Sequence, residues 1–228
     1  MKKILLAVIA AAIVIVAGVV WAMNGLRTAP QTSSSSSQMS TSSTSGSGSG
    51  TGSNQKTLIV YYSRTGNTRA VAELIQNQVG GDLFQIETKV PRPKNYRAEV
   101  NQNEQEQSDN TLPVLKSKVP NFASYDRVFI GSPTWNMALP QAVVTFLDSY
   151  NFSGKTVIPF NTNGGYGVGS VFTQIRSGAK NADRVLQGFS VEGGQETNGI
   201  LLAIKGNRRV QVSKEVDSWL SRIGQNRK

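Results

Sequence analysis

Four short apolar runs, each followed by loop residues and then by helical periodicity, constrain this chain more than any other feature. They are residues 57–62 (TLIVYY), 83–87, 127–131 and 156–160, and their length and β-branched or aromatic content predict strands. Helices are predicted at 67–79, where Val71, Leu74, Ile75 and Val79 share a face, and at 141–149, 170–177 and 212–223. Strands alternating with helices at this spacing predict an α/β domain whose parallel sheet is covered on both faces and connected by right-handed crossovers. A fifth strand is expected at 185–191, with 200–204 extending it or forming a short hairpin with it. The polar, Asn- and Gln-rich stretch 91–120 predicts an irregular connection with one or two helical turns around 97–106. No internal repeat is visible.

The first 56 residues do not belong to that pattern. Lys2 and Lys3 precede residues 4–23, twenty residues without a charge, which is the length a helix needs to span a bilayer. An uncleaved signal anchor fits this run better than a cleaved signal peptide, whose apolar core is usually about 7–15 residues. Val20-Trp21-Ala22 does offer a cleavage site for the alternative, a secreted domain. The lysines before the run and the single Arg27 soon after it orient the C-terminal part outside the cytoplasmic membrane. Residues 31–53 are 12 Ser, 4 Thr and 4 Gly among 23, the composition of a flexible tether. The expected organisation is a signal anchor at 1–23, a Ser/Thr/Gly-rich linker at 24–56 and one domain at 57–228.

Composition removes whole classes of chemistry. The chain of 228 residues has no Cys and no His, which excludes disulfides, Cys/His zinc sites, thiol nucleophiles and Ser-His-Asp catalysis. No acidic cluster of the EF-hand kind is present, so no metal site is expected. Residues 57–228 carry 20 Lys and Arg against all 14 acidic residues, a moderately basic balance that favours anionic partners or surfaces. Those cations are scattered rather than striped, so no nucleic acid is expected. The domain is expected to be a monomer.

In an open parallel sheet a ligand binds beyond the carboxyl ends of the strands, which directs attention to three loops. The first, Ser63, Arg64, Thr65, Gly66, Asn67 and Thr68, joins a strand to a helix and presents hydroxyl and backbone donors at the positive end of a helix dipole, a phosphate cradle. A single helix cap would need one such residue, not four. The loop is no Walker A motif, because it lacks the lysine, and Gly154-Lys155-Thr156 precedes a strand instead of following one. The second loop holds Pro133, Thr134, Trp135, Asn136 and Met137. The third holds Thr162, Asn163, Gly164, Gly165, Tyr166 and Gly167. Each pairs one large ring with small neighbours, so a flat aromatic ligand could stack on Trp135 or Tyr166 while backbone groups read its edge. Gly165-x-Gly167-x-x-Ser170 lacks the last glycine of the dinucleotide fingerprint.

From residue 57 to residue 224 the chain resembles the flavodoxin family. LIVYYSRTGNTRAVAELI is similar to that family's first strand, phosphate loop and helix, and GSPTWNMALPQAVVTFLDSYNFSGKTVIPFNTNGG to its second and third flavin loops and the strand between them. The resemblance implies a flavodoxin-like three-layer sandwich with a five-stranded sheet of order 2-1-3-4-5 that binds FMN noncovalently. It places the phosphate at residues 63–68 and the isoalloxazine ring between residues 133–137 and 162–167. Two places depart from the family. Related sequences often have a second aromatic and a glycine where this chain has Asn136 and Met137, and His where it has Asn163. In flavodoxins a peptide of that second loop reorients on reduction, a motion glycine permits most easily. The implied function is a membrane-tethered, extracytoplasmic FMN electron carrier. An FMN-dependent NAD(P)H:quinone or small-acceptor reductase is the enzyme alternative, and a flavin-free surface binding module the third. Neither flavin loop contains Lys or Arg, so a low flavin potential is expected.

Overall fold

The computed structural model describes residues 55–195 and 198–226. The predicted membrane span at 1–23 and the tether up to residue 54 lie outside them. Among the described residues no helix is long and apolar enough to cross a membrane.

The elements in chain order are β1 (Thr57–Tyr61), α1 (Asn67–Val79), β2 (Asp82–Gln85), α2 (Tyr96–Ser108), a 3-10 turn (Phe122–Ser124), β3 (Arg127–Pro133), α3 (Gln141–Asp148), β4 (Thr156–Asn163), α4 (Val171–Gly178), β5 (Arg184–Val185), β6 (Phe189–Glu192) and α5 (Gly206–Arg222). The strands run parallel in the order β2-β1-β3-β4-β5, with β6 also paired to β4. The expected order 2-1-3-4-5 is therefore present, with its fifth strand in two pieces.

The interruption has a chemical cause. Val157 pairs with Val185 and Phe160 with Phe189, so Ile158 and Pro159 face three residues, 186–188, in a bulge. Pro159 has no N–H to give the ladder. On the opposite side, Gln187 turns its carbonyl to the indole N–H of Trp219 in α5, 2.9 Å away. Residues 200–204 are not a strand, contrary to expectation: a single antiparallel bridge joins Gln195 to Ile200, and the segment is held by side-chain hydrogen bonds described below.

Side chains alternate across β1 so that both faces are apolar, as a covered parallel sheet requires. Leu58, Val60 and Tyr62 pack with Val143, Phe146, Val171 and Ile175 of α3 and α4. Ile59 and Tyr61 pack with Val71, Ile75, Val212, Val216 and Trp219 of α1 and α5. Two helices begin earlier or run longer than the apolar pattern indicates. The buried positions of α5 start at Val212, but six residues precede it, tied down by Arg209 to Glu73 of α1 at 3.0 Å and by Arg208 to Glu215 at 3.3 Å. α2 runs for 13 residues, and the side chains it buries are Glu99, Asn103 and Glu106, so no hydrophobic period announces it.

Candidate functional site

The carboxyl ends of β1, β3 and β4 open into a cavity of about 590 Å3. Its walls include Ser63, Arg64, Thr65, Asn67 and Thr68 from the first loop, Pro133, Thr134, Trp135 and Asn136 from the second, and Thr162, Asn163, Gly164, Gly165 and Tyr166 from the third. Gly66, Met137 and Gly167 are not among the residues that line it.

Gly66 ends the first loop at φ 94°, a left-handed conformation that turns the chain into α1. No acidic residue occupies the first turn of α1. Among the described residues no protein acceptor takes the backbone N–H of Thr65, Gly66, Asn67 or Thr68, so that end of the cavity presents free donors with the helix dipole behind them. The hydroxyl of Ser63 accepts from Arg69 N at 3.3 Å and that of Thr65 from Asn67 Nδ2 at 2.9 Å. Each oxygen is fixed as an acceptor, and each hydroxyl hydrogen remains available to an anion.

Other loop side chains are engaged by the protein itself. Asn67 donates through Nδ2 to Leu201 O at 2.7 Å and accepts at Oδ1 from Ala203 N and Ile204 N at 3.0 and 3.1 Å. It staples residues 201–204 over the loop. Thr68 and Thr162 share a buried hydroxyl pair at 2.8 Å. Arg64 donates through its guanidinium to Pro93 O and Lys94 O and forms an ion pair with Glu99. The donors that this loop leaves free are thus the backbone N–H groups and the hydroxyls of Ser63 and Thr65.

At the other end, residues 135–138 form a two-residue turn closed by hydrogen bonds of 3.0 and 2.9 Å between Trp135 and Ala138. Asn136 and Met137 both take positive φ, 47° and 58°, the type I′ geometry that favours Asn-Gly. Met137 is held there because its carbonyl accepts from both N and Oγ of Ser170 at 2.9 Å. Gln107 of α2 braces the same turn, donating to Trp135 O and Leu139 O at 3.2 and 3.0 Å. Trp135 packs edge-on against Tyr62 at 5.4 Å, with the Arg92 guanidinium 5.8 Å from its ring centroid. Burial is the main cause that raises the Tyr62 phenol above its usual range, with Arg92 opposing it. Asn163 shapes the third loop, its Oδ1 accepting from Gly165 N at 3.0 Å and Gly167 N at 3.2 Å, while Thr134 Oγ1 donates to Gly167 O at 3.1 Å. Tyr166 is 87% exposed at the mouth.

Two parts of the wall escaped the sequence reading. Tyr96, Glu99, Val100, Asn103 and Glu104 face the cavity from α2, and Gly193, Gly194, Gln195 and Asn198 from the connection after β6. The α2 positions follow a helical spacing of three and four, a polar stripe that a search for apolar stripes passes over. Gly194 is required by close approach, because a Cβ there would sit 2.1 Å from Leu201 O. Among the described residues there is no group of acidic side chains able to hold a metal.

FMN suits this wall on the chain's own chemistry. An acid-free helix start with four free N–H groups and two hydroxyl donors matches a phosphate, and Trp135 and Tyr166 supply ring surface for a flat heterocycle.

Comparison with known proteins agrees. The flavodoxin family model matches residues 56–196. The flavodoxin of Synechocystis sp. (strain ATCC 27184 / PCC 6803 / Kazusa) is 30% identical over 106 residues, 45% of this chain and 48% of that protein. A flavodoxin of Nostoc sp. (strain PCC 7120 / SAG 25.82 / UTEX 2576) is 27% identical over 113 residues, 48% of this chain and 52% of that protein. The chain thus spans about half the length of the curated relatives it matches. Among solved structures, a candidate flavoprotein from Bacteroides eggerthii DSM 20697 is 29% identical, covers 75% of this chain and 99% of its own, and superposes with a TM-score of 0.59. A flavoprotein in complex with FMN from Lactobacillus acidophilus NCFM, 23% identical over 60% of this chain and 92% of its own with a TM-score of 0.52, shares the fold. With the family model covering more than half of its length, the chain belongs to the flavodoxin family.

Proposed function

We propose that the chain binds FMN and works as an electron carrier on the outer face of the cytoplasmic membrane, tethered through residues 1–23. The observation that carries the reading is the union, in one cavity, of a donor-rich, acid-free start of α1 with Trp135 and Tyr166. The N–H groups of residues 65–68 and the hydroxyls of Ser63 and Thr65 would hold the phosphate. Trp135 and Tyr166 would flank the ring, and Gly164 and Gly165 let the backbone approach it. Bound FMN supplies one- and two-electron redox chemistry. The protein binds and orients it and sets the surrounding charge.

That charge is not positive. Arg64 and Arg92 stand beside the cavity, Glu99 and Glu106 pair with them, and Glu104 adds a further carboxylate to the wall. No net positive charge therefore favours an anionic reduced flavin, and the midpoint potential is expected below that of free FMN. The tether rests on the uncharged run at 4–23, the lysines before it and the Ser/Thr/Gly segment behind it.

A titration of the full chain with FMN, followed by flavin and tryptophan fluorescence, tests the binding. NAD(P)H added to the loaded protein separates the carrier from a reductase: the carrier stays yellow, whereas bleaching on mixing establishes the reductase. Fractionation of expressing cells tests the tether, which predicts the chain in the membrane pellet and in alkaline-washed membranes.

A further inference from the structure

Asn161, near the carboxyl end of β4, is 0% exposed and does not line the cavity, yet its side chain engages residues that lead to the ring end of the site. Its Nδ2 donates to Ser132 O at 2.9 Å and to Thr134 Oγ1 at 3.0 Å, and its Oδ1 accepts from Ser190 Oγ at 3.0 Å and from Asn163 Nδ2 at 3.3 Å. A carboxamide with both hydrogens and both lone pairs engaged has one orientation, and it fixes its neighbours in turn. Thr134 Oγ1, accepting from Asn161, has one hydrogen to give, and its nearest acceptor is Gly167 O at 3.1 Å. Asn163 donates through Nδ2 to Asn161 Oδ1 and to Ser190 Oγ, which leaves its Oδ1 to accept from Gly165 N and Gly167 N. Gly167, at φ 86°, is thus held at its carbonyl by the second loop and at its N–H by the end of β4.

We infer that Asn161 is a positioning residue for flavin binding, setting the gap between the loop that carries Trp135 and the loop that carries Tyr166. This rests on the proposal that the cavity takes FMN with its ring between those loops. Backbone pairing does not reach that far: the β3–β4 register ends at Pro133 and Thr162, with one further bond from Thr134 N to Thr162 O. Tyr166 lies beyond it and is exposed, so its own packing does not place its ring. The peptides on either side of Tyr166 are placed by hydrogen bonds at Gly165 N, Gly167 N and Gly167 O, and all three come from side chains that Asn161 orients. A binding site keeps its geometry only when the groups behind it are themselves locked. Thr162, between the two asparagines in the strand, points to the other face and meets Thr68. The phosphate loop is therefore held independently of Asn161.

The test titrates the full chain, wild type and Asn161→Ala, with FMN and with riboflavin, and records the visible spectrum of the bound flavin at saturation. Asn161→Ala should weaken both ligands by the same factor, about tenfold, because the ring end is loosened and the phosphate end is not. The wild-type ratio of the two affinities should survive, and the spectrum of bound FMN should move towards that of free FMN. A merely structural role would lower the melting temperature and leave affinities and spectrum unchanged well below it. Ser190→Ala decides the matter if Asn161→Ala does not fold. Ser190 is exposed, and loss of its hydroxyl removes one partner each from Asn161 Oδ1 and Asn163 Nδ2, so both flavins should weaken by about threefold. Unchanged affinities in Asn161→Ala, or in Ser190→Ala where the first does not fold, overturn the inference while FMN binding itself stands, as does a loss for FMN that riboflavin does not share. A wild-type chain that binds no FMN overturns both.

Discussion

The two long walls of the cavity are held by different physics. Around residues 63–68 nearly every polar side chain finds a neutral partner a few residues away or one loop across, as Thr65 does with Asn67 and Thr68 with Thr162. What remains free there is a set of N–H and O–H hydrogens aimed at a ligand. Along α2 the wall is built from charges: Arg92 bridges Glu99 and Glu106 with side chains only 12%, 4% and 10% exposed. Arg92 Nη2 and Glu106 Oε2 are left without partners. The first wall should lose one group at modest cost, because each hydrogen bond contributes about 1 kcal/mol. The second should fail as a unit, because removing one member strands a buried charge.

The largest effect is therefore expected from Arg92→Met. It should lower the unfolding free energy by about 3 kcal/mol, read as a lower urea midpoint of the apo chain, and a loss below 1 kcal/mol would reduce the α2 wall to ordinary surface pairing. Next in size, Trp135→Ala should weaken FMN by about 2 kcal/mol through lost ring contact, roughly thirtyfold in affinity, with riboflavin weakened equally. Thr65→Val should cost about 1.5 kcal/mol for a hydrogen bond to a charged group, and it should spare riboflavin, which has no phosphate. Equal losses for both ligands would remove the phosphate from that end of the cavity.

The smallest effect lies outside both walls and serves as their control. Tyr125 donates to Asp82 Oδ2 at 2.7 Å, and burial together with that carboxylate pushes its phenol up to about 12 from 10.0. The folded state then holds its proton above the pH at which the unfolded chain releases it. This share of stability is complete below pH 10 and is lost as pH rises towards 12. In a pH series of melts Tyr125→Phe should flatten the decline above pH 10 without changing FMN affinity at neutral pH. An unchanged slope would remove Tyr125 as its source.

The same contrast explains what could be read from the chain. The parallel sheet was legible because TLIVYY and its counterparts are buried on both faces, and α1 because Val71, Leu74, Ile75 and Val79 repeat at the helical period. The donor-rich loop at 63–68 was legible because its residues are contiguous. The ion pair of Arg64 was not: its partner Glu99 is 35 positions away, and nothing local shows the pairing. α2 was legible only as one or two helical turns around 97–106, because a helix that buries Glu99, Asn103 and Glu106 has the composition of a loop. The break in the fifth strand left a trace, Pro159 in the neighbouring strand, but placing it required the register of β4. The staple made by the Asn67 side chain was not legible, since its contacts at Leu201, Ala203 and Ile204 exist only in the folded chain.

Titration of the full chain with FMN, followed by quenching of flavin fluorescence, tests whether one cavity joins a phosphate cradle to a ring site. A saturable one-to-one endpoint is expected, with riboflavin bound more weakly by the missing phosphate. No quenching, or riboflavin bound as tightly as FMN, would contradict it.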